Sequence, residues 1–157
     1  MSHETRIEID PDLPCVRIIR EFDATPAQVF RAHADPELFV RWVGPECIDD
    51  TWVERWDARA GGEWRYRSNH AGYEHWFRGC FHDVREGERI VQTFTYEGFP
   101  DAVSLETMDF QALDGGRCRL VSTSMANSFE ERDAFVASGM EHGVREGYLK
   151  LDSILAG

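Results

Sequence analysis

The sequence predicts an α+β fold: an antiparallel sheet of about six to seven strands wrapped around one long C-terminal helix, with two short helices after the first strand. Two observations carry this. Over Ser128 to Gly157, apolar side chains recur at Val136, Met140, Val144, Tyr148, Leu151 and Leu155, three or four apart, forming one continuous face on a helical period. Between residues 47 and 126, six runs rich in β-branched and aromatic residues alternate with turns built from Gly, Asp and Asn. A helix with one apolar face must bury it against another layer, and a sheet with one aromatic face supplies that layer.

In chain order, residues 1–14 are polar and close with Pro11-Asp12-Leu13-Pro14, so a flexible arm is expected ahead of a single domain spanning 15–157. Cys15 to Phe22 form the first strand on their β-branched content. Thr25 caps a helix that has Pro26 at its first position and Gln28 three residues after the cap. Asp35-Pro36 ends it and opens a second short helix through Leu38, Phe39 and Trp42, which Gly44-Pro45 stops. Strands are expected over 50–57, 63–67, 75–81, 90–96, 103–111 and 118–125, the last two joined by the hairpin turn Asp114-Gly115-Gly116. Sequential strands favour antiparallel pairing. Alternation puts Trp64, Tyr66 and Ser68 on one side, with Arg65 and Arg67 opposite, and Phe94 and Tyr96 on one side, with Thr93 and Thr95 opposite. The aromatic side is expected to be concave and to face the last helix. That helix is expected to run unbroken from Ser128, with Glu131 completing a capping box.

Gly139, Gly143 and Gly147 fall at four-residue intervals in the same segment. Each glycine costs roughly 1 kcal/mol against alanine inside a helix, so a stripe of three calls for a compensating use. Three uses are open: a backbone packed tightly against the stripe, room for a ligand, or a homodimer seam.

Composition narrows the function. A charge of −12, from 29 acidic against 17 basic residues, repels phosphate backbones and anionic lipid surfaces, so neither nucleic acid nor membrane is an expected partner. His3, Glu4, Arg6, Glu8 and Asp10 stand where a secretory signal would carry a basic segment and an apolar run, so a cytoplasmic location is expected. Cys15, Cys47, Cys80 and Cys118 are scattered, which suits reduced thiols better than a disulfide frame or a zinc site. His70, Glu74, His75 and His82 cluster in sequence, yet His75 and His82 are seven apart and point to opposite faces of an uninterrupted strand, so no metal site is expected. No Ser-His-Asp order, phosphate loop or nucleotide fingerprint is present, so no cofactor and no nucleophile are indicated.

Four stretches carry a family resemblance. Trp42-Val43-Gly44-Pro45, Asp57 to Trp64, Phe77 to Phe81 with Glu88 to Phe94, and Gly143 through Leu155 resemble the landmarks of the heat-shock-protein-90 ATPase activator-like branch of the START-like (SRPBCC) superfamily. The resemblance covers roughly residues 15–156. It implies a helix-grip fold with a cavity between sheet and C-terminal helix, and this branch holds many small bacterial proteins. Relatives commonly carry tryptophan after the glycine at position 143; this chain has Val144, which takes an indole ring away from the implied pocket.

The side chains expected to line that cavity are Trp64, Tyr66, His75, Phe77, Phe94, Tyr96, Glu106, Met108, Met140, Gly143, Val144 and Tyr148. The alternative for the aromatic members is filled core, and the glycine stripe tilts the reading toward a cavity because it adds empty space where methyl groups would ordinarily sit. Glu106 shares a face with Met108 and Phe110 if pairing is regular, and a carboxyl in such surroundings would hold its proton to higher pH; the other register turns Leu105 inward and leaves Glu106 in water. Three functions stay open: binding of a small hydrophobic or aromatic molecule without catalysis, a co-chaperone-like interaction module, and a cyclase or hydrolase working in the same cavity.

Overall fold

The computed structural model describes residues 3–157. Among the described residues, eight strands form one antiparallel sheet: β1 (Arg6–Ile9), β2 (Cys15–Phe22), β3 (Asp50–Trp56), β4 (Glu63–His70), β5 (Tyr73–Arg85), β6 (Arg89–Tyr96), β7 (Ser104–Leu113) and β8 (Arg117–Met125). Their spatial order is β1-β2-β8-β7-β6-β5-β4-β3, so the chain brings its second strand back beside its last. Register shifts between Val53 and Arg55 and between Phe81 and Asp83 bend the sheet, as bulges do. Helices α1 (Pro26–Ala34), α2 (Pro36–Trp42), α3 (Phe129–Ala137) and α4 (Met140–Leu155) complete the layer pair. This is the helix-grip arrangement. No helix among the described residues is long and apolar enough to cross a membrane.

Local chemistry explains the helix ends. Thr25 accepts from the Gln28 amide while the Gln28 side chain accepts from the Thr25 amide, a complete capping box, and Asp35 caps α2 through the Glu37 amide. Ser128 caps α3 through the Glu131 amide, but the Glu131 carboxylate takes the Asn127 amide instead of closing the box.

Three expectations need correction. The sheet has eight strands rather than six or seven. The arm is not wholly irregular, because Arg6–Ile9 pair with Val16–Ile19. That edge is held from outside: Arg132 donates to the Asp10, Leu13 and Cys15 carbonyls, and Arg145 donates to the Thr5 carbonyl. The final helix is two helices, because Gly139 adopts φ +89 and ends one before the other starts, while Ser138 turns its hydroxyl back onto the Phe135 carbonyl.

Of the three stripe glycines, Gly143 and Gly147 pack against another part of the chain, while Gly139 serves the helix break and has open space around it. A Cβ at Gly147 would lie 3.1 Å from the Trp42 carbonyl oxygen and 3.5 Å from the Gly44 backbone, and one at Gly143 would lie 3.4 Å from Pro45 Cδ. The same loop is tied to α4 where the Glu46 amide donates to Glu146 (3.0 Å) and Lys150 reaches the Pro45 carbonyl. Gly143 therefore does not look into an open cavity. Since its Cβ would make only ordinary contact, Gly143→Ala should raise stability by a few tenths to 1 kcal/mol through helix propensity. Gly147→Leu should lower it by roughly 1–3 kcal/mol by forcing the Trp42–Gly44 backbone away. Urea denaturation of the two variants checks both signs.

The core fills one half of the concave face. Phe30 meets Phe110 edge-on (5.5 Å between centroids), His33 sits between Trp42 (4.8 Å) and Phe110 (5.3 Å), and Tyr148 of α4 packs against Phe22 (5.4 Å) and Trp42 (5.9 Å). The indole N–H groups of Trp42 and Trp56 donate to the Ala32 and Ala34 carbonyls, which locks α1 over this half.

Candidate functional site

The other half of the concave face is less closed. Phe77, Phe94, Tyr96 and Met108 point inward from β5, β6 and β7 yet are only partly buried, and so are Val136, Met140 and Val144 on the helix side. Strand pairing fixes the faces: Tyr66 lies opposite Phe77, Phe77 opposite Tyr96, and Ser68 opposite His75. The rings form a path from interior to surface, Trp64 on Tyr66 (5.6 Å), Tyr66 on Phe77 (5.0 Å), Phe77 on Tyr96 (5.3 Å) and Tyr96 on Phe99 (6.2 Å), with Phe94 packed against Trp64 and Phe77. Trp64 can lie flat here because β5 offers Gly79 opposite it; a Cβ on that glycine would come 2.6 Å from the indole ring.

Polar groups cross this aromatic floor in one transverse row. Gln92 on β6 stands opposite Glu106 on β7, and Glu106 opposite Ser124 on β8. The Gln92 side-chain amide donates to Glu106 Oε1 at 3.1 Å. Glu106 thus faces inward and Leu105 outward, which decides the register that the sequence left open. Burial pushes the Glu106 carboxyl up to about 7, against the opposing hydrogen bonds from Gln92 and Ser124. Tyr66 and Tyr148 hold their phenol protons more tightly than usual, first through burial and second through the charge of Glu106, so both hydroxyls stay protonated. The buried Trp64 indole N–H has no hydrogen-bond partner among the described residues. His75 Nδ1 pairs with the Tyr96 hydroxyl at 2.9 Å.

Of the twelve residues expected at the site, Trp64, Tyr66, His75, Phe77, Phe94, Tyr96, Glu106 and Met108 share the concave face of the sheet. On α4, Tyr148 is buried in the packed core, Met140 and Val144 are partly buried beside it, and Gly143 faces Pro45 instead. Gln92 and Ser124 were missed; in sequence they are ordinary polar strand residues, and only their pairing with Glu106 marks them. His70 is turned away to the Cys47 carbonyl, and His82 is exposed. Among the described residues no group of three or more His, Cys, Asp and Glu could hold a metal ion.

Comparison with known proteins places this geometry in a lineage. The family described as activator of Hsp90 ATPase homolog 1-like protein matches residues 23–156. The chain belongs to that family. Its fold is shared by the crystal structure of Ms6760 from Mycobacterium smegmatis, at 22% identity and a TM-score of 0.86 over 97% of each chain. A Rhodobacter sphaeroides crystal structure superposes with a TM-score of 0.87 at 24% identity, over 98% of this chain and 99% of the other. A solution structure from Arthrobacter aurescens gives 0.87 at 23% identity, over 96% and 91%. No curated protein matches the chain. At these identities the likeness carries the activator-like fold, and the chemistry of the groove has to be argued from its own residues.

Proposed function

We propose that this protein binds a small apolar or aromatic molecule in the groove between the open half of the sheet and the α3–α4 face. One observation carries the reading: Gln92, Glu106 and Ser124 stand in register across three strands of an otherwise aromatic floor. A core meant only for packing gains nothing from a carboxyl group there, whereas a ligand site needs a few polar anchors among apolar walls. The unpartnered Trp64 indole N–H adds a donor. Saturating the protein at a hundred times the dissociation constant should add about 2.7 kcal/mol of stability, visible as a raised melting temperature. A panel of fatty acids, sterols and aromatic polyketides, followed by native mass spectrometry, identifies the class. A panel in which no compound shifts the melt or survives as a one-to-one complex counts against the reading.

A second reading, a co-chaperone-like module, draws on the family description and on exposed apolar side chains. Tyr73 and Phe99 are 71% and 72% exposed at the β4–β5 turn and the β6–β7 loop, with Val103 and Leu105 following. Pull-down from native cells, with assay of the captured chaperone's ATP hydrolysis, separates it from the first. A Phe99→Ser variant should lose the chaperone and keep the small molecule.

A further inference from the structure

We propose that the groove receives an aromatic or alicyclic molecule bearing a protonated amine, whose ammonium pairs with the Glu106 carboxylate beside the Phe94 ring. The proposal rests on the ligand-groove reading and names the head group that the groove selects.

Glu106 is an inward carboxyl without a counter-ion. The carboxylates that β2, β3 and β7 turn outward are matched to arginines: Glu21 to Arg117 (2.8 Å), Glu54 to Arg65 (2.6 Å) and Asp109 to Arg89 (2.7 Å). Inside, Arg20 has Asp152 at 2.6 Å. Among the described residues the polar partners of Glu106 are Gln92 and Ser124, and no Lys, Arg or His forms an ion pair with it. Both partners donate, the Gln92 side-chain amide at 3.1 Å and the Ser124 hydroxyl, which is the arrangement that favours the ionised form. Burial works the other way and holds the carboxyl at about 7, so a cation arriving beside it draws it towards ionisation. A ligand hydroxyl would satisfy a lone pair and leave the buried charge uncompensated; an ammonium does both.

The surroundings suit a cation as well. Glu106 stands opposite Gln92 and Phe94 opposite Ser104, which makes Phe94 the diagonal neighbour of Glu106 on the same face, with Cα atoms roughly 7–8 Å apart. Phe94 packs in turn against Trp64 (5.7 Å) and Phe77 (5.6 Å), so an ammonium at Glu106 lies next to rings whose π electrons attract it, and the apolar body of the molecule has Phe77 and Tyr96 to lie along. The net charge of −12 favours the approach of a cation over that of a carboxylate. Other ionisable side chains on the inner side are Tyr66 on β4 and Tyr148 on α4, whose phenols stay protonated; Cys118 on β8, pushed up to about 11 by burial; His33 on α1, pushed down to about 4; and the Arg20–Asp152 pair between β2 and α4. His75 on β5 faces the groove and pairs with the Tyr96 hydroxyl, so the test has to separate it from Glu106.

The test compares 2-(2-naphthyl)ethylamine with the neutral 2-(2-naphthyl)ethanol by isothermal titration calorimetry on the whole chain. At pH 8 the amine should bind at least about tenfold more tightly than the alcohol. An alkylammonium stays protonated from pH 8 to pH 6 while Glu106 takes up its proton, so the amine's affinity should fall about tenfold over that range and the alcohol's should not. Glu106→Gln should bind the two compounds alike, and His75→Gln should keep the wild-type contrast and its fall with pH. Where Glu106→Gln lacks a cooperative melt, the wild-type and His75→Gln titrations decide the matter. Equal affinities in the wild-type protein, an amine affinity that is flat from pH 8 to pH 6, a fall that disappears in His75→Gln, or a contrast that persists in Glu106→Gln overturns the proposal and leaves the groove reading in place. Saturable binding of neither compound also overturns it, and the groove reading then rests on the panel of fatty acids, sterols and polyketides.

Discussion

Asp152→Ala should cost about 3–5 kcal/mol of stability, because it strands a buried guanidinium without its counter-ion. Arg20 alternates inward with Val16, Ile18 and Phe22 on β2 and is 1% exposed. It donates from both terminal nitrogens to the two Asp152 oxygens at 2.6 and 2.7 Å, and it also lies over the Phe22 ring at 4.8 Å. Its Nε has no partner among the described residues, so the pair is already incompletely satisfied. Arg20→Met should cost clearly less. It keeps most of the packing volume and removes the orphan N–H, and the Asp152 side chain it leaves behind is 28% exposed and can hydrate. The double substitution should therefore be more stable than Asp152→Ala alone. Urea denaturation of all three variants gives the cycle, and a cost below about 1 kcal/mol for Asp152→Ala would show that α4 does not depend on this pair.

The second large effect is a loss of stability in acid through His33. Its ring is buried between Trp42 and Phe110, with Nδ1–H donating to the Val29 carbonyl at 2.8 Å, and burial pushes its pKa down to about 4 from 6.5. Above pH 6.5 the imidazole is neutral in both the folded and unfolded chain, and its contribution is complete. As pH falls from 6.5 towards 4 the unfolded chain takes up a proton that the folded chain refuses, so folding weakens, by about 3 kcal/mol in all, and no further below that window. Paired carboxylates such as Glu54 and Glu97 also lose stability in acid, but they do so equally in a His33→Phe variant. Subtracting the two stability curves between pH 4 and 7.5 isolates the imidazole. Parallel curves would mean that the folded chain opens to protonate it.

What could be anticipated from sequence divides by the range of the interaction responsible. The caps at Thr25 and Asp35, the hairpin at Asp114-Gly115-Gly116 and the alternation of Trp64, Tyr66 and Ser68 are local, and each appears where its residues put it. Strand β1 escaped because Arg6–Ile9 is held by Arg132 and Arg145 from the far end of the chain. The break at Gly139 was legible in Ser138-Gly139, but the apolar period continues across it and masks the stop signal. The glycine stripe left close packing, room for a ligand and a dimer seam all open, because the partner that decides, the Trp42–Pro45 loop, lies about a hundred residues away. Glu106 is the most instructive case. A one-residue slip would have put Leu105 inside, and only pairing with Gln92 and Ser124 decides between them.

The central claim, that the open half of the concave face receives a small apolar molecule, is tested most directly by titrating isotopically labelled protein with the panel compound that raises its melting temperature most and following the backbone amide resonances. The account predicts saturable, one-to-one changes centred on Tyr66, Phe77, Phe94, Glu106 and Met108, with little change at Ile19, Glu21, Arg119 and Val121 on the outer face of β2 and β8. Changes confined to that outer face, or none that saturate, would contradict it.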